Sequence, residues 1–127
     1  MIKIYGIEEI LEPKIPSMSD VIQGCMQDAL GYPANKRAQR FLPVKRGHFF
    51  SPEGRTEAYT ILEISLLSGR SKEAKKTLIY LLFERFEREL GIKPVDLEIT
   101  LFDSPGENWG FRGITGDEAQ LDYKINV

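Results

Sequence analysis

The chain has 127 residues with 42% hydrophobic and 28% charged, a balance that suits one globular domain and excludes disorder. Seventeen Lys and Arg against nineteen Asp and Glu leave a net charge of −2, a poor footing for binding a phosphate backbone. One cysteine, Cys25, and one histidine, His48, exclude a disulfide framework, a Cys-based zinc site and a His-rich metal cluster within the chain.

Met1 to Tyr5 reads as a short strand with Ile2 and Ile4 on one face. Pro13 and Pro16 delay the following helix, since proline suits a first turn and breaks an interior. Ser17 is the expected cap. Met18, Val21, Ile22, Cys25, Met26, Ala29 and Leu30 then form an apolar stripe that stops at Gly31. Cys25 lies inside that stripe and reads as a buried structural thiol. Gln39 to Val44 is the returning strand. Lys45 to Glu57, with Gly47, Pro52 and Gly54, is expected to be a connecting loop that carries His48 on the surface.

Thr60 to Leu67 is a second β-rich run, followed by a turn at Ser68-Gly69 and an N-cap at Ser71. Ala74, Leu78, Leu81, Leu82, Phe86 and Leu90 recur at steps of three and four, which is one buried helix face. Gly91 occupies the C-terminal cap position. Pro94 stops continuation, and Val95 to Phe102 alternates as the next strand. Leu121, Tyr123, Ile125 and Val127 alternate as well, predicting a terminal strand able to join a neighbouring subunit's sheet edge.

The two halves are related. Leu30-Gly31 recurs as Leu90-Gly91 at an offset of 60, and the same offset takes Ile4 to Ile64, Phe41 to Leu101 and Phe49 to Trp109. The expected fold class is therefore α/β (α+β), with two tandem β-α-β repeats in a single domain spanning 1–127. Repeat one is 1–50, the connecting loop 45–57, repeat two 58–112, and a tail with its strand 113–127. No apolar run reaches the roughly 20 residues needed to span a bilayer, and no signal-like start is visible. A cytoplasmic protein is expected, with neither membrane nor nucleic acid as a partner.

The wording of the second repeat is specific. The strand Ile61 to Leu67, then Gly69-Arg70-Ser71-Lys72-Glu73-Ala74-Lys75-Lys76, then Leu90-Gly91-Ile92-Lys93-Pro94-Val95-Asp96, then Glu107-Asn108-Trp109-Gly110-Phe111 resembles the tautomerase superfamily. That superfamily includes 4-oxalocrotonate tautomerase, macrophage migration inhibitory factor and malonate semialdehyde decarboxylase. The fused length, Gly31-Tyr32-Pro33-Ala34-Asn35-Lys36-Arg37, Gln39-Arg40-Phe41 and Gly54-Arg55-Thr56 point to the malonate semialdehyde decarboxylase-like branch. The resemblance implies a tautomerase/MIF-like homotrimer with sites near subunit boundaries and no metal or organic cofactor.

The resemblance also implies chemistry. Family members use an amino-terminal proline whose amine, desolvated in an apolar pocket, works as base or acid near neutral pH. Here positions 1 and 2 are Met1 and Ile2, and the bulk of Ile2 is expected to keep the methionine in place. The terminal amine of Met1, ordinarily titrating at about 7.7–8.0, is then the candidate base or Schiff-base nucleophile. Arg70 stands at the family's carboxylate-binding arginine, and Trp109 with Phe111 matches its aromatic wall. Lys36 stands where the decarboxylase branch has an acid, and Ser68 where it has a second arginine. Those two replacements favour tautomerase-like over decarboxylase or hydratase chemistry. Tyr5, Arg55 and Arg112 are further polar groups near the motifs.

Two functional readings follow: a diverged tautomerase acting on a small keto or enol carboxylate, and a noncatalytic trimeric relative that binds a small anion or a protein. A ferredoxin-like binding module is a third, more distant one.

Overall fold

Alternation in the strands and a three-to-four periodicity in the helices require the same thing, one sheet face covered by two helices. The computed structural model describes residues 1–119, 121 and 123–127. In chain order the elements are β1 (Ile2–Ile7), α1 (Glu8–Leu11), α2 (Ile15–Leu30), β2 (Gln39–Val44), β3 (Thr60–Leu67), α3 (Lys72–Leu90), β4 (Leu97–Ser104), β5 (Gly110–Phe111) and β6 (Ile114–Thr115). The main sheet runs β2-β1-β3-β4, and β5 with β6 forms a separate two-stranded ribbon. β1 and β2 are parallel, β3 and β4 are parallel, and β1 meets β3 antiparallel at the centre. The chain is thus two β-α-β units joined back to back, as expected.

The 60-residue offset is also a register. Ile4 pairs with Phe41 in the first unit, and Ile64 pairs with Leu101 in the second. Both long helices end on a left-handed glycine, Gly31 at φ 71° and Gly91 at φ 68°. At each end the glycine and the next residue donate back into the last turn: Gly31 to Gln27 and Tyr32 to Met26, Gly91 to Glu87 and Ile92 to Phe86. Even the short 3-10 turns repeat, at Arg46–His48 and Gly106–Asn108.

The core sits between the helices and one sheet face. Ile2, Ile4, Leu62, Ile64 and Leu66 from the strands meet Met18, Ile22, Cys25 and Met26 of α2 and Leu78, Leu82 and Phe86 of α3. Cys25 is fully buried, and burial pushes its thiol up to about 11, so it packs rather than reacts. The opposite face carries Tyr5, Leu42, Ile61, Glu63 and Phe102, with the Tyr5 hydroxyl donating to Glu63 at 2.9 Å.

Four boundaries differ from the sequence reading. β1 runs to Ile7, beyond Tyr5. Helix begins at once after it: Pro13 and Pro16 occupy first-turn positions of a 3-10 turn (Glu12–Lys14) and of α2, so they punctuate a helical path without delaying it. Ser17 lies inside α2, whose N-cap position is Lys14; the genuine side-chain cap is Ser71, which accepts from the Ala74 N–H. Pro94–Asp96 forms a 3-10 turn, so β4 starts at Leu97 and extends to Ser104.

The predicted terminal strand is the fourth. Among the described residues, Leu121 and 123–127 form no strand. The tail instead runs back over the β3–α3 turn, where the Ser71 N–H donates to the Val127 carbonyl at 2.9 Å. Asp122, which falls within that predicted strand, and Gln120 just before it lie outside the described residues.

Candidate active site

Antiparallel pairing of β1 with β3 extends one residue past the strand. The Ser65 N–H donates to the Met1 carbonyl at 2.8 Å, and the Met1 amine donates to the Ser65 carbonyl at 3.2 Å. The amine is therefore held as the last rung of the central ladder. Met1 lines a cavity of about 320 Å³ together with Lys36, Trp109 and Phe111. A volume of that order accommodates a small organic molecule.

Burial, then Arg70, then Arg40 lower the pKa of the Met1 amine from its ordinary 8.0. All three act against the ammonium: desolvation removes its water and the guanidiniums repel it. Arg40 also donates to the Met1 sulfur at 3.4 Å.

Lys36 comes from the turn after α2, which the Gly31 cap directs back across the start of β1. Trp109 and Phe111 come from the far end of β4, past the Gly106–Asn108 turn. The indole N–H donates to the Ser104 carbonyl at 3.3 Å, fixing the ring as part of the wall. Arg112, at φ 53°, and Gly113, at φ 84°, make the tight two-residue turn of the β5–β6 ribbon. That turn brings Arg112 to the cavity with its guanidinium 5.0 Å from the Phe111 ring.

Arg70 stands one layer behind. Only 6% exposed, it is absent from the residues lining the cavity. Its Nη1 donates to the Leu67 carbonyl at 2.9 Å, and its guanidinium lies 5.5 Å from the Tyr32 ring and 5.9 Å from the Tyr123 ring. Ser68 does not join the site. Its N–H continues the β3–β4 ladder to the Ser104 carbonyl at 2.8 Å, which leaves the side chain exposed at the sheet end.

Other candidates fall elsewhere. Tyr5 is tied to Glu63 on the open sheet face. His48 is exposed in its 3-10 turn. Arg55 lies by Tyr59 and Glu98, remote from the Met1 cavity lining.

Sequence reasoning missed Tyr32, Arg37, Ser65, Leu67, Leu121 and Tyr123 as lining residues. Tyr32 had a usable signal, since it directly follows a helix-ending glycine. Ser65 and Leu67 needed the strand pairing. Among the described lining residues there are three cations, Lys36, Arg37 and Arg112, and no carboxylate. In a chain of net charge −2 that local excess fits an anionic ligand.

The model for the tautomerase enzyme family matches residues 36–112, more than half of the chain. The chain belongs to the tautomerase family. The matched span contains Lys36, Ser68, Arg70, Trp109 and Phe111, and does not include Met1. The 2-hydroxymuconate tautomerase of Comamonas testosteroni is 32% identical over 56 residues, covering 44% of this chain and 89% of that relative. A malonate semialdehyde decarboxylase structure superposes with a TM-score of 0.78 at 29% identity, covering 87% of this chain and 89% of that one. A wild-type fused 4-OT solved as an asymmetric trimer gives a TM-score of 0.79 at 21% identity, covering 90% and 94%, a likeness of fold.

Proposed function

We propose that this tautomerase-family chain, one domain over 1–127, works as a homotrimer on a small keto or enol carboxylate. The observation that carries the reading is the Met1 amine, held in a cationic cavity with its pKa lowered. In its neutral form the amine takes the proton from the enol hydroxyl, and the ammonium so formed delivers it to the carbon beside the carbonyl; the same steps reversed enolise a keto acid. A base of this kind needs a pKa near the operating pH, and desolvation beside two guanidiniums supplies the shift. Lys36 attracts the carboxylate, Arg70 anchors it, and Trp109 with Phe111 excludes water on one side. Ser68 is left out of this assignment. No cofactor or metal enters the reaction. The apolar residues Leu42, Ile61 and Phe102 on the open sheet face are the surface that trimer assembly buries.

Ketonisation of phenylenolpyruvate, with the mature amino terminus checked by mass spectrometry, tests this. The expected rate rises with pH through a midpoint below 8 and falls by about 10²–10⁴ when the terminal amine is acetylated. A rate indifferent to acetylation rejects Met1.

A second reading, a noncatalytic relative that binds a small anion or a protein, is favoured by the enclosure of Arg70 behind two rings. Carboxylate binding that depends on Arg70, with no turnover of enol substrates, selects it.

A further inference from the structure

Arg70 is buried to 94% yet incompletely satisfied: its Nε and Nη2 have no hydrogen-bond partner among the described residues. What covers them is aromatic. The Tyr32 and Tyr123 rings lie 4.9 Å apart, inclined at 40°, and both face the same guanidinium. Both tyrosines line the cavity and Arg70 does not, so the ring pair is the partition between them. Ring faces attract a cation but offer no acceptor for an N–H in the plane of the guanidinium. A carboxylate offers two acceptors in matching geometry.

The two rings are anchored differently. Tyr32 follows the Gly31 cap of α2 and its N–H reaches Met26 at 3.4 Å. Tyr123 belongs to the tail, where one backbone hydrogen bond, Ser71 N–H to the Val127 carbonyl, joins 123–127 to the rest among the described residues. The tail nevertheless fits its seat closely. At Gly69, φ 137°, a Cβ would come within 2.8 Å of the Ile125 side chain and 2.9 Å of the Asn126 side chain.

Building on the anion-binding reading above, we propose that the 123–127 segment is a displaceable cover over Arg70. Tyr123 closes the guanidinium off from the cavity, and a carboxylate ligand reaches it only as Tyr123 leaves the Tyr32 ring. The closed arrangement keeps Arg70 buried with its Nε and Nη2 unpartnered among the described residues; the open one exchanges a ring contact for a paired hydrogen bond. Tyr123 is in this sense a specificity residue: it sets the cost of admitting an anion without touching the reacting carbon.

The test uses pyruvate, with methyl pyruvate as its uncharged counterpart, followed by the fluorescence of Trp109, the sole tryptophan. Tyr123→Ala is expected to bind pyruvate about tenfold more tightly than the unaltered chain, with methyl pyruvate unchanged. Tyr123→Phe keeps the ring and is expected to behave as the unaltered chain. Hydrogen exchange at the Ser71 amide is expected to quicken when pyruvate binds the unaltered chain, as the Val127 contact opens. Tyr123→Ala binding pyruvate equally or more weakly, or a Ser71 amide that becomes better protected, overturns the cover while leaving the anion site in place. Binding that survives Arg70→Ala, or no pyruvate binding in any variant, rejects the anion site itself and the cover with it.

Discussion

The two repeats build equivalent backbone at two ends of one sheet, yet the two ends differ in what they enclose. The 60-residue offset takes Ile10 to Arg70, Tyr32 to Ile92, Lys36 to Asp96 and Phe49 to Trp109. At one end β1 begins with Met1 beside an open cavity lined by cations and aromatic rings. At the other, β3 is entered by the Thr56–Tyr59 segment, and that segment fills the corresponding space. Asp96 is buried and accepts from the Thr56 N–H at 2.8 Å and the Thr56 hydroxyl at 2.5 Å. Tyr59 is buried beside Phe49, their rings 5.8 Å apart, and Ile10, Tyr59 and Ile92 close around a space with no room for a ligand. A shared backbone plan therefore yields one open cavity and one plug. What separates them is the chemistry at a few equivalent positions: arginine or isoleucine, lysine or a tied aspartate.

Blocking the Met1 amine should have the largest effect, because only the open end has an amine at the start of its strand. Acetylation is expected to lower the phenylenolpyruvate rate by about 10²–10⁴, the usual worth of a positioned proton-transfer group. Circular dichroism checks that the fold persists.

Asp96 and Lys36 give the next contrast. Asp96→Ala strips a buried acceptor from Thr56 and should cost about 2–3 kcal/mol in urea unfolding. Lys36→Ala, at the equivalent place beside the cavity, should cost under about 1 kcal/mol and instead raise the KM for a carboxylate substrate several-fold. Equal stability losses at both positions would erase the distinction between plug and site.

Stability should also carry a pH signature. The Met1 amine has a lower pKa folded than unfolded, so between that lowered value and 8.0 the unfolded chain binds more protons. Folding stability then rises with pH across the window, and the acetylated protein lacks that rise. Urea midpoints measured at intervals across it test the sign.

Ser68→Ala and His48→Ala define the smallest effect, within about 0.5 kcal/mol in stability and no change in KM, since both side chains are exposed away from the cavity.

Much of this was legible from local chemistry. Gly31, Gly91 and Ser71 announced helix ends because left-handed caps and side-chain caps depend on a few adjacent residues. β2 and β3 were readable to the residue because turn signals bound them. The continuous helical path from Glu8 was not: proline at a first turn and proline as a stop look alike until the preceding backbone is known. The tail alternates like a strand, yet its described residues pack on Gly69 and Ser71, a choice made by tertiary contacts. Met1, Lys36, Trp109 and Phe111, which line one cavity, stand out in the sequence by position: the last three sit in motifs and Met1 at the chain terminus. Tyr32 and Tyr123 escaped because their meeting over Arg70 joins a helix end to a tail about ninety residues away, and no local pattern encodes it.

The account rests most directly on the titration of one nitrogen. With 15N-labelled methionine, the Met1 amine can be followed by NMR across pH 5 to 10. The account predicts a midpoint clearly below that of an ordinary α-amine, about 7.7–8.0, moving upward when Arg70 is replaced by alanine. A midpoint at the ordinary value, unmoved by Arg70→Ala, would contradict it.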